Sequence, residues 1–405
     1  MSPSSTLTTA SQVSGPARQT VLTNGAGAMT DLETLAALLR PAGGGIHTVS
    51  TGRAEQRALQ QRLYRAADEA TIDGNWRAAL ANIARARAAI LAVPSDTGAG
   101  LVRGAAFGPG ALRAALLDRL PDFPERAARA GIVDVGDVFV VPQLLHDEML
   151  SQRQLDATRA ALYPRLSAAE RARLPVSPLS AAQEVVTRLL ALNPALKIFA
   201  LGGDHSITWP VIAALAASRP RPFAIVHPDA HTDLLAERLG VKYCFATWAY
   251  HANEAIGRSQ RLVQVGVRAS GRPRAHWEST LGVKQFWADE IAARGEAGAL
   301  DDIVAHLRGL GVDGVYLSND IDGTDAGAAP ATGAPEGGGL SVGFMRALIR
   351  RLGNEGSLIG ADLVEVAPTV GAPEGAQRTV DVGAAYMADS LAALLEGSDR
   401  KTFTA

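Results

Sequence analysis

The sequence predicts an α/β protein: a mainly parallel β-sheet covered by helices on both faces, three layers in all, with a helical extension ahead of it. Two observations carry this. Apolar runs at 197–201, 223–226, 262–267, 315–318 and 358–366 are continuous and are separated mostly by helical segments. Strands buried on both faces have that composition, and their alternation with helices marks a parallel sheet. Clusters rich in Asp and His stand directly after three of these runs, and in such folds ligands bind at the carboxyl ends of the strands.

Taken in order, the chain of 405 residues has room for one large domain with an extension, or for two domains. Residues 1–28 are small, polar and without periodicity, as disordered segments are. Residues 29–88 read as a helical extension. Leu59, Leu63 and Ala67 share one face of a segment expected to end near Asp73-Gly74, and Trp76, Leu80, Ile83 and Ala84 share one face of the next. This pair could also serve as an oligomer contact. The remainder, 89–405, reads as the catalytic domain. Its first strand is expected at 89–93, followed by a Gly-rich loop and a helix from about Ala111, and a second strand at 131–137. Residues 143–192, interrupted by Pro175 and Pro178, read as surface helices.

Composition removes several function classes. A net charge of -2 with no basic run of five residues gives no case for nucleic acid. Cys244 is the sole cysteine, so an intramolecular disulfide and a multi-cysteine zinc site are both excluded. Residues 1–28 lack the apolar core of a signal peptide. No uncharged apolar run reaches the roughly 18 residues of a membrane span. A cytoplasmic enzyme is the expectation.

The three clusters hold the chemistry. Gly202-Gly203-Asp204-His205-Ser206 follows the first of these strands, where Asp204 or Ser206 could simply cap the next helix. Asp229-Ala230-His231-Thr232-Asp233 follows the second. In extended backbone, residues at i, i+2 and i+4 point the same way, so Asp229, His231 and Asp233 are expected to share a face. Asp320-Ile321-Asp322-Gly323 follows the fourth run; alternating Asp with Gly also suggests a Ca²⁺ loop, but the terminal Glu of an EF-hand is missing. An unpaired buried carboxylate costs several kcal/mol. Together His205, Asp229, His231, Asp233, Asp320 and Asp322 are too many ligands for one small cation and suit two. Carboxylate and imidazole without sulfur favour Mn²⁺, Fe²⁺, Co²⁺ or Ni²⁺. Paired metals about 3.5–4 Å apart make a nucleophile of bound water near neutral pH, which points to hydrolysis.

The motifs Gly-Gly-Asp-His-Ser at 202–206, Asp-Ala-His-Thr-Asp at 229–233 and Ser-x-Asp-x-Asp at 318–322 resemble, in order, the three signatures of the ureohydrolase family of arginase, agmatinase and their relatives. The resemblance runs from about Val93, where Pro-x-Asp-x-Gly (with Thr97) and Phe-Gly-Pro also match, to about Thr369. It implies an arginase-like sheet of about eight strands and two divalent metal ions per chain. Asp229 and Asp320 would bridge them, His205 and Asp233 complete one site, and His231 and Asp322 the other. Glu365 matches the glutamate that holds the substrate guanidinium; its alternative is a salt-bridged strand-end residue.

One departure stands out. Where agmatinase-like members have a His-Gly-Thr segment supplying a proton-shuttling histidine, Phe245 occupies the histidine position here, so the shuttle has moved, His251 being the candidate, or the leaving amine is protonated differently. The aromatics Tyr243, Phe245, Trp248 and Tyr250 are expected to crowd a loop over the pocket, with Thr97, Phe245, Thr247 and Trp248 lining it. This stretch is most similar to the nickel-dependent guanidine hydrolase branch; a related branch hydrolyses a biguanide in a complex of two ureohydrolase subunits. The expected function is hydrolysis of free guanidine to urea and ammonia, with agmatine, guanidino acids or a biguanide as alternative substrates. Nickel is the first choice of metal and manganese the second. A homotrimer or homohexamer is expected, or a hetero-oligomer with a second ureohydrolase-like subunit. The rivals are a one-zinc deacetylase on the same fold and a non-catalytic subunit.

Overall fold

The structure, a computed structural model, describes residues 29–47, 50–355 and 358–395. The disorder expected of residues 1–28 and the last residues of the expected catalytic domain, 396–405, lie outside the described residues. Nine strands form one sheet: β1 (Leu39–Arg40), β2 (Ala88–Val93), β3 (Ile132–Val138), β4 (Lys197–Gly202), β5 (Ala224–Pro228), β6 (Leu262–Val267), β7 (Lys284–Trp287), β8 (Val315–Asp320) and β9 (Leu358–Val364). Their spatial order is β1-β3-β2-β4-β9-β8-β5-β6-β7. Every pairing is parallel except that of β1 with β3. Two rows of helices cover the sheet. Pro373–Leu394 packs on Gly108–Arg119 and Val342–Asn354, while Pro178–Leu192 packs on Asp31–Leu38 and Thr208–Ser218.

This order positions the site. The chain leaves β4, skips two strand places to lay down β5, β6 and β7, and only then returns with β8 and β9 to fill the gap. The carboxyl ends of β4, β9, β8 and β5 therefore stand side by side, and the three motifs and Glu365 lie on them. One glycine there is obligatory: a Cβ on Gly203 would come within 1.9 Å of the Ser95 carbonyl oxygen. The loop after β2 is held by that close approach, because the Asp204 amide donates to the same oxygen at 2.9 Å.

Several expectations need correction. Within the extension the helix that carries Leu59 and Leu63 is Arg53–Tyr64, and the next, Glu69–Ala81, runs straight through Asp73-Gly74. The boundary falls earlier because Asp68 caps the second helix, accepting from the Thr71 amide, and that outweighs the roughly 1 kcal/mol penalty of an interior glycine. Residues 143–192 are not all surface: Pro178–Leu192 buries Leu179, Ala182, Val185, Val186 and Leu189, which follow helical periodicity. β1 and β7 were not foreseen as strands; β1 has two residues, and β7 buries only a glutamine. Residues 29–81 also pack tightly on the sheet. Trp76 is 2% exposed and its indole N–H donates to the Val135 carbonyl at 2.9 Å, while the Tyr64 hydroxyl accepts from the Ala42 amide. No helix among the described residues is long and apolar enough to cross a membrane.

Candidate metal centre

At the end of β4, Asp204 accepts from the Ser206 amide at 2.7 Å and caps the turn His205–Ile207, which runs on into the helix Thr208–Ser218. Capping and ligation are thus divided between neighbours, and His205 is left to face the cluster. Its Nδ1 lies 2.9 Å from Asp320 Oδ2, 3.3 Å from Asp229 Oδ2 and 3.5 Å from Asp233 Oδ2. Its Nε2 lies 3.0 Å from Ser318 Oγ. The Ser318 hydroxyl donates its one hydrogen to Asp362, so it accepts from His205 Nε2–H. That leaves Nδ1 facing three carboxylates: burial opposes the charged ring, yet its bonds to Asp229 and Asp320 raise its pKa well above the usual imidazole range, and a metal ion there would take the place of the Nδ1 proton. Asp362 accepts in addition from Thr208 Oγ1, Tyr316 Oη and the Asn319 amide. Such hydrogen bonds behind a histidine orient it and raise its basicity toward a metal.

The other two motifs reach the centre by a different route from the one expected. β5 ends at Pro228, and Asp229–Asp233 leaves the sheet as a loop in which Asp233 has left-handed backbone, φ 51°. Strand alternation is therefore not what gathers Asp229, His231 and Asp233. Hydrogen bonds do it: the Ala230 amide donates to Asp322 Oδ1 at 3.1 Å, and the His231 amide donates to Asp229 Oδ1. After β8, a short turn over Ile321–Gly323 brings the Asp322 amide to Asp320 Oδ1 at 2.9 Å. His231 Nδ1 then stands 3.1 Å from Asp322 Oδ2 and 3.5 Å from Asp229 Oδ1. Ligand atoms fall into two groups, each spanning no more than 4.8 Å: His205, His227, Asp229 and Asp233 in one, Asp229, His231 and Asp322 in the other. Asp229 belongs to both.

The electrostatics fit divalent cations. Burial, then the charge of neighbouring Asp229, pushes the Asp233 carboxyl up to about 8. Burial, then Asp322 and Asp229, raises Asp320 well above the carboxylate range. Burial opposes the charged form of His231, yet its bonds to Asp229 and Asp322 carry it to about 12. Burial opposes ionisation of Asp229 too, yet its bonds to His227, His205 and His231 hold it well below the carboxylate range; the other carboxylates packed this closely gain from added positive charge, which two divalent ions would bring.

Glu365 follows β9 in left-handed backbone, φ 63°, and is 7% exposed. A non-glycine residue held there stores strain of the kind that gathers at functional sites. Its Oε1 accepts from the His205 amide at 2.9 Å, and its own amide donates to the Gly203 carbonyl. Burial first, then Asp204, raises its pKa well above the ordinary carboxylate.

The expected pocket residues divide. Phe245 lies on the loop beside Gly98–Gly100, its amide donating to the Gly98 carbonyl, and Thr97 Oγ1 donates to the Pro142 carbonyl at 2.9 Å. Trp248 and Thr247 are fully buried behind the ligands, not in a loop over them. Trp248 stacks on His205 with ring centres 4.4 Å apart and donates to Asp233 Oδ2 at 3.0 Å; Thr247 Oγ1 accepts from the Cys244 amide. His251 is not brought into the cluster. Its Nε2–H is spent on the Lys242 carbonyl at 3.0 Å, and its ring packs against Trp209, Tyr243 and Tyr250. Burial lowers its pKa, so the geometry corrects its expected shuttle role toward a structural one.

Sequence reasoning missed His227, Ser318, Asp362 and Gln264. His227 Nε2 sits 2.6 Å from Asp229 Oδ2, and burial lowers its pKa despite the pull of Asp229. The available signal was a histidine inside an apolar strand, two residues before a ligand motif.

Comparison with known proteins agrees with this geometry. The model of the arginase family matches residues 86–392. A guanidinobutyrase from Pseudomonas aeruginosa is 31% identical over 69% of this chain and 79% of its own. The mitochondrial agmatinase of Gallus gallus is 34% identical over 69% of this chain and 74% of its own. The structure of a proclavaminate amidino hydrolase from Streptomyces clavuligerus superposes with a TM-score of 0.58 at 26% identity, covering 78% of this chain and 92% of that one.

Proposed function

The chain belongs to the arginase family, whose members are metal-dependent hydrolases of guanidino compounds, and on that premise we propose that it cleaves a C–N bond of free guanidine, releasing urea and ammonia. The convergence of His205, Asp229, His231, Asp233 and Asp322, with Asp320 on His205 Nδ1, beside a strained, buried Glu365 carries this reading. The first metal to try is nickel and the second manganese, since both accept mixed carboxylate and imidazole ligation. When bound, such a pair lowers the pKa of water and supplies the nucleophile.

The chain's own residues do the rest. Asp229, shared by both ligand groups, and Asp320, 2.9 Å from His205 Nδ1, would hold both ions. His205 and Asp233 would hold one of them, His231 and Asp322 the other. Trp248 walls off the far side of His205 and keeps water from it. Glu365 receives the substrate: one oxygen holds the His205 amide, and the other is open to a planar cation, which a carboxylate orients well. The arriving guanidinium also supplies the positive charge that keeps Glu365 ionised. Phe245, packed at 3.4 Å from where a Gly100 side chain would start, narrows the approach in favour of a small substrate.

A second reading, an ω-guanidino acid as substrate, is favoured by two exposed arginines beside that approach. Arg238 lies 5.0 Å over the Phe245 ring, and Arg103 donates to the Thr97 carbonyl. A carboxylate tail would meet positive charge there; the ammonium tail of agmatine would be repelled. For the assembly we keep a homotrimer or homohexamer, with a partner ureohydrolase-like subunit as the alternative. The test is urea release by the purified chain loaded with nickel or manganese, offered guanidine, 4-guanidinobutyrate and agmatine in turn. Guanidine is expected to turn over fastest and agmatine slowest. Absence of urea from all three, or an unimpaired Asp229→Ala variant, refutes the assignment.

A further inference from the structure

Three neighbouring strands carry a row of buried polar side chains that the catalytic reading leaves unused. His227 on β5 is the cross-strand partner of Gln264 on β6, which is the partner of Gln285 on β7. Their exposures are 0%, 0% and 1%, so water cannot replace the bonds they make. Trp287 stands two residues beyond Gln285, and its indole nitrogen lies 2.9 Å from Gln285 Oε1.

The row has a direction because its ends are unambiguous. An indole N–H only donates. The Gln285 amide must therefore present its oxygen to Trp287 and its NH₂ to Gln264 Oε1, 2.8 Å away. Gln264 then turns its own NH₂ the other way, donating to the Thr232 carbonyl at 2.7 Å and to His227 Nδ1 at 3.0 Å. A carbonyl only accepts, so Thr232 fixes the Gln264 amide a second time and independently. Amide orientations and histidine tautomers are usually ambiguous; here both ends dictate them. His227 Nδ1 is an acceptor, and its ring proton sits on Nε2, 2.6 Å from Asp229 Oδ2.

We infer that His227 is a positioning residue for the carboxylate shared by the two ligand groups: the relay Trp287–Gln285–Gln264 holds its imidazole in the Nε2–H tautomer, which donates to Asp229 and takes no metal itself. Both ring nitrogens are committed, so no lone pair is left for an ion, although His227 lies within ligand distance of one group. His205 and His231 ligate; the third histidine of the centre aims the bridge. This inference rests on the metal-centre reading for its consequence, but the tautomer exists in the metal-free protein.

The test begins there. Histidine labelled with ¹⁵N in metal-free protein gives tautomer-specific long-range ¹H–¹⁵N patterns, and His227→Gln identifies the ring by loss of its signals. A neutral Nε2–H pattern is expected. An Nδ1–H pattern, or a ring that coordinates added Ni²⁺, overturns the proposal. Gln264→Glu should flip the tautomer, since its carboxylate accepts from Nδ1–H, and lower metal affinity about 10- to 100-fold, the usual cost of disturbing a group behind a ligand. Trp287→Phe, at the half-buried end, should do less, because Thr232 still pins Gln264. His227→Gln, which keeps an N–H toward Asp229, should retain more affinity than His227→Phe; equal affinity in the two overturns the proposal. A wild-type chain that binds no metal while showing the Nε2–H pattern sinks the metal-centre reading and leaves the relay intact.

Discussion

Replacing Ser318 with alanine should weaken metal binding without unfolding the metal-free chain, and the size of the effect follows from the hydrogen bonds around it. Ser318 is fully buried, so no water takes over when the hydroxyl is removed. Asp362 loses one donor but keeps Thr208, Tyr316 and the Asn319 amide, so it remains satisfied. The group left stranded is His205 Nε2–H. A buried donor without a partner costs about 1–3 kcal/mol. In the metal-free protein burial opposes the charged ring, but its bonds to Asp229 and Asp320 raise its pKa; without Ser318 the ring escapes the cost by giving up the Nε2 proton and keeping the one on Nδ1, where Asp320 Oδ2 accepts at 2.9 Å. With a metal on Nδ1 there is no such escape. The penalty therefore falls on the loaded state, and about 1–3 kcal/mol corresponds to roughly 5- to 150-fold in affinity. Competition against a chromophoric chelator measures it, with the melting temperature of metal-free protein as the control. Affinity within twofold of wild type, or an equal loss of stability in the metal-free form, would falsify the role given to Ser318.

Three further outcomes follow from the same structure. Glu365→Gln keeps the acceptor for the His205 amide but loses the charge opposite the substrate; kcat/KM should fall by at least about tenfold, in line with 1.5–3 kcal/mol for a charged hydrogen bond, while metal content stays at the wild-type value. Burial holds the pKa of His146 down, and its Nδ1 accepts from the Glu148 amide. The folded state thus resists protonation more than the unfolded one, so this stability is present above about pH 6.5 and is lost as pH falls through the lowered folded pKa. Urea midpoints should drop more steeply with acid in wild type than in His146→Gln, and parallel curves would refute the assignment. Trp76→Ala removes a side chain that is 2% exposed together with its bond to Val135; a loss of about 3–5 kcal/mol is expected, with proteolytic release of residues 29–81, and resistance equal to wild type would show that the extension is held elsewhere.

Much of the fold was legible because the central strands are short continuous apolar runs alternating with longer helical segments, and because the Asp- and His-rich motifs sit on their ends. β7 escaped because Lys284-Gln285-Phe286-Trp287 has no apolar run; its inward residue is a glutamine whose burial makes sense only once Gln264 and Trp287 are beside it. The cluster of acidic and imidazole residues was legible by residue type, but not the way Asp233 comes to face His205. That depends on left-handed backbone and on an amide from one motif reaching a carboxylate of another, and such long-range bonds leave no local trace. Trp248 looked like a lid aromatic for the same reason: position along the chain says that it is near the centre, not on which side. His227 was hidden by its good fit in the strand.

The late return of β8 and β9 also decides when the centre can exist. β4 and β5 stand three strand spacings apart, about 14 Å, and β8 and β9, which fill the space between them, are the last strands of the sheet in chain order. Asp320 and Asp322 arrive with β8 and Glu365 with β9, so the centre is complete only once these strands are in place. A ribosome-bound fragment ending before Val315 accordingly lacks Asp320, Asp322 and Glu365, and the order in which the strands are synthesised sets when the full centre can form.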